Sequence, residues 1–468
     1  MTDGRSIAVA RWLPWLGLLA GLALLAFRLP GELARPLHAD EAGQWSLLAE
    51  GRPHSATGDR FHGPLLGQLA RVGLGAAGIA PEGASETALR LVPLAVALSL
   101  VSLPWLAPLA WGWRRAFLPA FLATIAVLPA TRFIQEPILA TCLVLCAMLW
   151  LRSGEAPAGR WLPLVSGLLA GLALACKVSA GLYLAAAALA FGLMGARPDA
   201  RRAGAFVLGA VLAWLLAQSS LLTDLPALVT WFRQFGRAFG VATGLGEPAL
   251  PMESPLAWIL SSTTLAVLVF LRWRARPRLG PWGAGDIDPL LAASVAVLAV
   301  HLALPYKTPW LLLTLDLLAL AVLAPRLVLG LGEDRLGRAA GIALVALVLP
   351  GRPLWSVHRH DYVETGKAVP RLAKGLGEMS PPVTIEVAQG HPWPLPYYLR
   401  GLTVAYGSPL PGGTPDVRLT EGAPGDVPRL DGHRTLPFAM RPNELWWLFV
   451  REERAAELDA RLAEAARR

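Results

Sequence analysis

The stretch His38-Ala39-Asp40-Glu41-Ala42 sets two adjacent carboxylates two residues after a histidine, and His54 and His62 follow in the same polar segment. A carboxylate kept ionised at a helix start accepts a proton, so Asp40 has the chemistry of a general base. Carboxylate oxygens are also ligands for hard divalent ions such as Mg or Mn, which makes Asp40, Glu41 and Glu136 a candidate metal set. The same residue types also start helices without doing chemistry, since Asp is a good N-cap. Both readings stand for Asp40. His62 precedes Gly63-Pro64 and either positions a substrate or starts the next helix.

The cations have their own pattern. Arg132 and Glu136 lie in "TRFIQEP", Lys177 sits between two apolar runs, and Lys307 lies in "YKTPW". Positive charge there suits an anionic group. The bland alternatives are an Arg132–Glu136 pair one turn apart, and lysines that snorkel to a membrane surface. His54, Asp59 and Asp224 read as solvated loop residues. Cys142, Cys146 and Cys176 all fall in apolar runs and read as small buried side chains rather than a disulfide set.

The elements that must position these groups are membrane helices. The chain has 468 residues, is 54% hydrophobic and only 16% charged. Apolar runs long enough for a hydrocarbon core of roughly 30 Å recur throughout. Eleven spans are expected, at 9–28, 89–110, 116–131, 136–151, 161–176, 178–195, 203–223, 255–271, 287–304, 309–325 and 339–352. The first lacks a small-x-small cleavage site and reads as an uncleaved anchor. Arginines cluster in alternate loops, at 114–115, 152–160, 197–202, 272–278 and 326–338, whereas the short opposite connections hold one basic residue each, Arg132, Lys177 and Lys307. That asymmetry predicts a cytoplasmic N-terminus, and it accounts for the net charge of +9 without nucleic acid. With eleven spans, loop 29–88 and everything after about residue 353 lie outside.

Within loop 29–88, "DEAGQWSLLAE" places Ala42, Trp45, Leu47 and Leu48 on one side of a short helix, which reads as an interfacial helix. "HGPLLGQLARVGLGAAG" reads as a second, with Pro64 in its first turn. Residues 1–352 thus form a polytopic all-α domain. Residues 353–468 alternate helix and strand and predict a small α/β domain. Helices are expected around "GKAVPRLAKGLGEM" and at the C-terminal end, with strands at "PVTIEVAQ" and within "NELWWLFVRE". Tyr397 and Tyr398 read as core of that domain.

The order of "HADEA" (38–42), "HGPLL" (62–66), "YKTPW" (306–310) and "WPLPYYLR" (393–400) resembles the C-type membrane glycosyltransferases. These are the superfamily of the dolichyl-phosphate-mannose–protein mannosyltransferases and the lipid A aminoarabinose transferase. The resemblance is nearest to the flippase-activity-associated branch. It implies about eleven transmembrane helices in the C-type fold with an extracytoplasmic α/β tail, in the cytoplasmic (inner) membrane. It also implies transfer of a hexose or pentose, with inversion, from a polyprenyl-phosphate donor to a glycan, lipid or protein of the cell envelope.

On this resemblance Asp40 is the catalytic base. Glu41, His62 and Glu136 position substrate or metal, and Arg132, Lys177 and Lys307 hold the donor phosphate. The chain departs from the family pattern at Gln135, at Val178 and in loop 224–254, which lacks an aromatic Pro-Trp-Tyr-Tyr signature. A non-catalytic assembly protein of the same fold is one alternative. A transporter or flippase of lipid-linked sugars is another, although such proteins place charge near mid-membrane between related halves. Here the charges fall at helix ends and no internal repeat is visible.

Overall fold

A computed structural model of the chain describes residues 29–56, 62–102, 132–154, 161–196, 198–243, 255–275, 287–304, 311–323, 365–388, 393–409, 414–422, 427–441 and 444–467, with isolated positions before residue 29. The expected spans 116–131 and 339–352, and most of 9–28, lie outside them. The chain divides into two compact units, one of residues 1–33 and 51–358, the other of residues 34–50 and 359–468. The second unit differs from the expected tail domain, because the segment carrying Asp40 and Glu41 belongs to it. That segment forms helix α1 (Ala39–Ala49).

The first unit is helical throughout its described part. It contains α2 (Leu65–Ala76), α3 (Glu86–Leu98), α4 (Glu136–Ser153), α5 (Leu162–Cys176), α6 (Ala180–Leu193) and α7 (Ala200–Gln218). Then come α8 (Pro226–Ala242), α9 (Pro255–Ala275), α10 (Ile287–Ala303) and α11 (Leu311–Leu318), which runs on as a π-helical turn over Ala319–Leu323.

Two of these helices, α4 and α7, have the length and apolarity to cross a bilayer, and their surroundings differ. In α4 all but Trp150, Arg152 and Ser153 are buried, so it runs through the interior of the bundle. In α7 only the stripe Gly209, Ala213, Ala217 and Gln218 is buried, and Val207, Leu208, Val211 and Leu212 are exposed. Side chains that apolar face lipid in a membrane helix of this kind.

Small residues seat α7 against α5. A Cβ on Gly167 would lie 2.0 Å from the Phe206 carbonyl oxygen, and one on Gly171 2.2 Å from that of Ala210. A Cβ on Gly209 would in turn lie 2.3 Å from the Leu164 oxygen. Backbones approach this closely only where side chains are missing, as small-xxx-small helix pairs require. At the far end of α4, Arg202 donates to the Trp150 carbonyl and, at 2.7 Å, to Ser153 Oγ, with its guanidinium 3.9 Å from the Trp150 ring centroid. Cationic donors satisfy the last carbonyls of a helix and oppose its dipole. Arg272 and Asp288 form a two-bond ion pair between α9 and α10.

Several expected boundaries shift. The span expected at 203–223 runs from 200 to 218 and ends in a turn where Ser220, Leu221 and Leu222 all take positive φ. Helix α8 was not expected at all, because loop 224–254 read as non-helical. Its inward stripe contains Ala227, Trp231, Gln234 and Ala238, and a polar Gln in that stripe, with Gly236 and Gly240, blurs the apolar period.

The second unit is α/β. Its sheet has the order β2-β1-β3-β5-β4, with β1 (Thr384–Val387) parallel to β2 (Thr403–Tyr406) and β3 (Val417–Glu421). β5 (Glu444–Arg451) runs antiparallel to β3 and to β4 (His433–Arg441). Pro437 lies in β4, an edge strand, where a missing N–H is tolerated. Helices α12 (Ala368–Gly377) and α14 (Glu452–Arg467) enclose a core with Leu372, Leu376, Ile385, Val387, Trp446, Leu448, Val450 and Leu458; a short α13 (Leu395–Tyr398) lies between β1 and β2.

Candidate active site

The Asp-Glu pair splits into two roles. His38 is the N-cap of α1, and its Nδ1 accepts the Asp40 backbone N–H at 3.1 Å. Glu41 Oε2 reaches back to accept the His38 N–H at 2.8 Å, completing a capping box. Glu41 is fully buried, so its carboxylate is committed to starting the helix. Asp40 points the other way, its side chain half exposed. His38 Nδ1 lies 3.7 Å from Asp40 Oδ2. A ring nitrogen that accepts a backbone N–H carries no proton, so that contact does not neutralise Asp40. Histidine as the cap was missed in the sequence, because the usual capping residues are Ser, Thr, Asp and Asn.

The apolar side of α1 is covered by protein, which corrects the interfacial reading. Ala42, Trp45 and Leu48 are buried, and the Trp45 ring meets Tyr397 edge-on at 5.0 Å. Tyr398 Oη accepts the Leu37 N–H at 2.6 Å, and the Thr365 hydroxyl donates to the Leu37 carbonyl. Arg400 stacks 3.9 Å from the Tyr397 ring centroid. The "WPLPYYLR" stretch is therefore the seat of α1 as well as domain core.

The first unit gathers a second constellation. Helix α5 breaks at Lys177, which takes an extended conformation before α6 begins. Into that break comes residue 62, bridged antiparallel to Lys177, with the Gly63 N–H donating to the Cys176 carbonyl at 2.9 Å. A Cβ on Gly63 would fall 1.8 Å from the Ala175 oxygen, so the motif's glycine is what lets the strands touch. Lys177 Nζ forms an ion pair with Glu136 Oε1, both side chains nearly buried. Glu136 thus pairs with a residue far along the chain rather than with Arg132 one turn before it. Gln234 of α8 closes the site by donating to the His62 carbonyl at 2.9 Å, and its Nε2 lies 3.2 Å from His54 Nε2. His54 and Gln234 were not among the expected site residues. Asp224, expected to be solvated, is buried and accepts the Ser55 N–H at 2.9 Å.

Arg132 is half-buried in the turn before α4, and Cys176 Sγ bonds the Gln135 carbonyl in the same turn at 3.3 Å. Lys307 lies outside the described residues. Among the described residues no three His, Cys, Asp or Glu side chains converge as metal ligands. Asp40 and Glu41 belong to one unit and Glu136 to the other, and Glu41 and Glu136 already hold a backbone N–H and an ammonium. No step below uses a divalent ion.

No protein-family model matches the chain, and no curated protein matches it. Its structure is similar to the crystal structure of ArnT from Cupriavidus metallidurans bound to undecaprenyl phosphate, with 15% identity and a TM-score of 0.52 over 93% of this chain and 98% of that one. The apo state of the same protein gives 14% identity and a TM-score of 0.53 over 93% and 97%. The chain has the fold of ArnT.

Proposed function

We propose that this chain is an integral membrane glycosyltransferase that moves a sugar from a polyprenyl-phosphate donor to an acceptor on the outer membrane face. The observation that carries this reading is Asp40. It presents an exposed carboxylate from a helix start whose other acid is spent on the cap, in a chain with the ArnT fold. Asp40 takes the proton of the acceptor hydroxyl, whose oxygen attacks the anomeric carbon. The bond from that carbon to the phosphate oxygen breaks, and the polyprenyl phosphate leaves with inversion. Lys177, paired with Glu136, stabilises the departing charge as a cation, with Arg132 and Lys307 as further phosphate contacts. An ArnT structure bound to undecaprenyl phosphate supports the class of donor lipid. The ordered motifs favour the flippase-activity-associated branch, the N-terminus is cytoplasmic, and the tail lies outside.

The test is incubation of the purified full chain with a panel of polyprenyl-phosphate sugars, with released polyprenyl phosphate as the readout. Release from at least one donor, lost in Asp40→Asn, is the expected result. Release unchanged in Asp40→Asn would remove the base, and no release with any donor would favour the non-catalytic reading. Ser55→Cys and Gly412→Cys should both react with a membrane-impermeant reagent on intact cells.

A further inference from the structure

His301 lies in the last turn of α10, 4% exposed, and its Nε2 has no hydrogen-bond partner among the described residues. Buried polar atoms are nearly always paired. An orphan nitrogen in a helical bundle therefore calls for an occupant. The groups around it are polar. The ring of Tyr183 on α6 lies 6.3 Å from the imidazole, and the Tyr183 hydroxyl is hydrogen-bonded to Thr314 on α11, with Asp316 within electrostatic reach of Tyr183. Lys177 lies within electrostatic reach of His301 itself. His301 thus lies within the field of the Lys177–Glu136 pair.

We propose that His301 is a further donor-binding residue, its Nε2–H donating to a phosphate oxygen of the lipid-linked headgroup held by Lys177. A neutral imidazole protonated at Nε2 gives one directed hydrogen bond, and the neighbouring ammonium draws the anion within its range. The inference rests on the glycosyltransferase reading but is tested by binding alone.

The experiment measures binding of undecaprenyl phosphate, inorganic phosphate and undecaprenol to the full chain in detergent. His301→Leu should weaken undecaprenyl phosphate about tenfold, or roughly 1.4 kcal/mol, and leave undecaprenol unchanged. His301→Gln, which keeps an N–H donor, should stay within about threefold of wild type. Parallel weakening of inorganic phosphate would place the contact on the phosphate alone, and weakening confined to the lipid would require the anchored headgroup; both support the contact. The thermal transition of His301→Leu should hold or rise, since no bond is lost. A lower transition with unchanged undecaprenyl phosphate binding overturns the proposal and makes His301 structural. Wild type that binds undecaprenol as tightly as undecaprenyl phosphate overturns both this contact and the donor class.

Discussion

Asp40 and Glu41 are neighbours of like charge, and the structure expects them to fail in different ways. Glu41→Ala strands the buried His38 N–H, at about 1–3 kcal/mol for an unsatisfied group. It also removes an anion from the first turn of α1, worth about 0.3–1 kcal/mol. The sum is about 1.3–4 kcal/mol, enough to fray the start of the helix. Glu41→Gln keeps an oxygen that accepts the same N–H, so it gives up only charge assistance, about 1 kcal/mol. Asp40→Asn leaves the cap untouched, because the cap uses the Asp40 backbone N–H and not its side chain. It removes the basic oxygen and should slow single-turnover transfer by on the order of 100-fold or more. Amide hydrogen exchange over residues 37–44, read beside turnover, separates the cases. Glu41→Ala should accelerate exchange and slow transfer together, Asp40→Asn should slow transfer alone, and Glu41→Gln should do little to either. A Glu41→Gln protein with normal exchange and the same loss as Asp40→Asn would refute this division of labour.

Gly63→Ala drives a methyl into the Ala175 carbonyl and should destabilise the bundle by about 1–3 kcal/mol, read by thermal unfolding in detergent, with weaker donor binding because Lys177 loses its bridge. Gly171→Leu should separate α5 from α7 and lower the thermal transition far more than Gly204→Leu, a helical glycine with nothing within 4 Å of its Cβ. In the second unit, burial pushes the Asp416 carboxyl up, but bonds from the Thr384 N–H and hydroxyl and the charges of Arg451 and Arg454 outweigh it and hold it below the usual range. That stabilisation is full above the unfolded carboxylate pKa of about 3.9 and is lost as pH falls through the lower folded value. Asp416→Asn should flatten the acid limb of unfolding followed at the sheet, and an unchanged limb would exclude Asp416 as its source.

The long apolar runs were legible because nothing but helix satisfies a backbone in lipid. Thus α4, α5 and α10 fall within two residues of their expected ends. Strands β2, β3 and β4 were missed because they are short or interrupted, β3 mixing charge with apolar residues and β4 holding a proline. At the site, residue types were readable and partnerships were not. Glu136 has an eligible cation one turn away, yet its partner Lys177 is 41 residues on, brought there by the break after α5. Nothing local in "HADEA" says that Glu41 faces in and Asp40 out. That follows from the His38 cap, and from an aromatic seat whose residues lie near the far end of the chain.

That seat fixes when the helix bearing Asp40 can be in place. Leu37 and its Tyr398 partner are 361 residues apart. At roughly 5–20 residues per second of synthesis, the helix bearing Asp40 emerges tens of seconds before anything exists to receive it. Throughout that interval the growing membrane bundle carries its Asp-Glu segment undocked. A ribosome that stalls, or a message truncated before "WPLPYYLR", yields a chain whose α1 has no aromatic seat. Completion of translation is thus built into the fold as the step that docks α1.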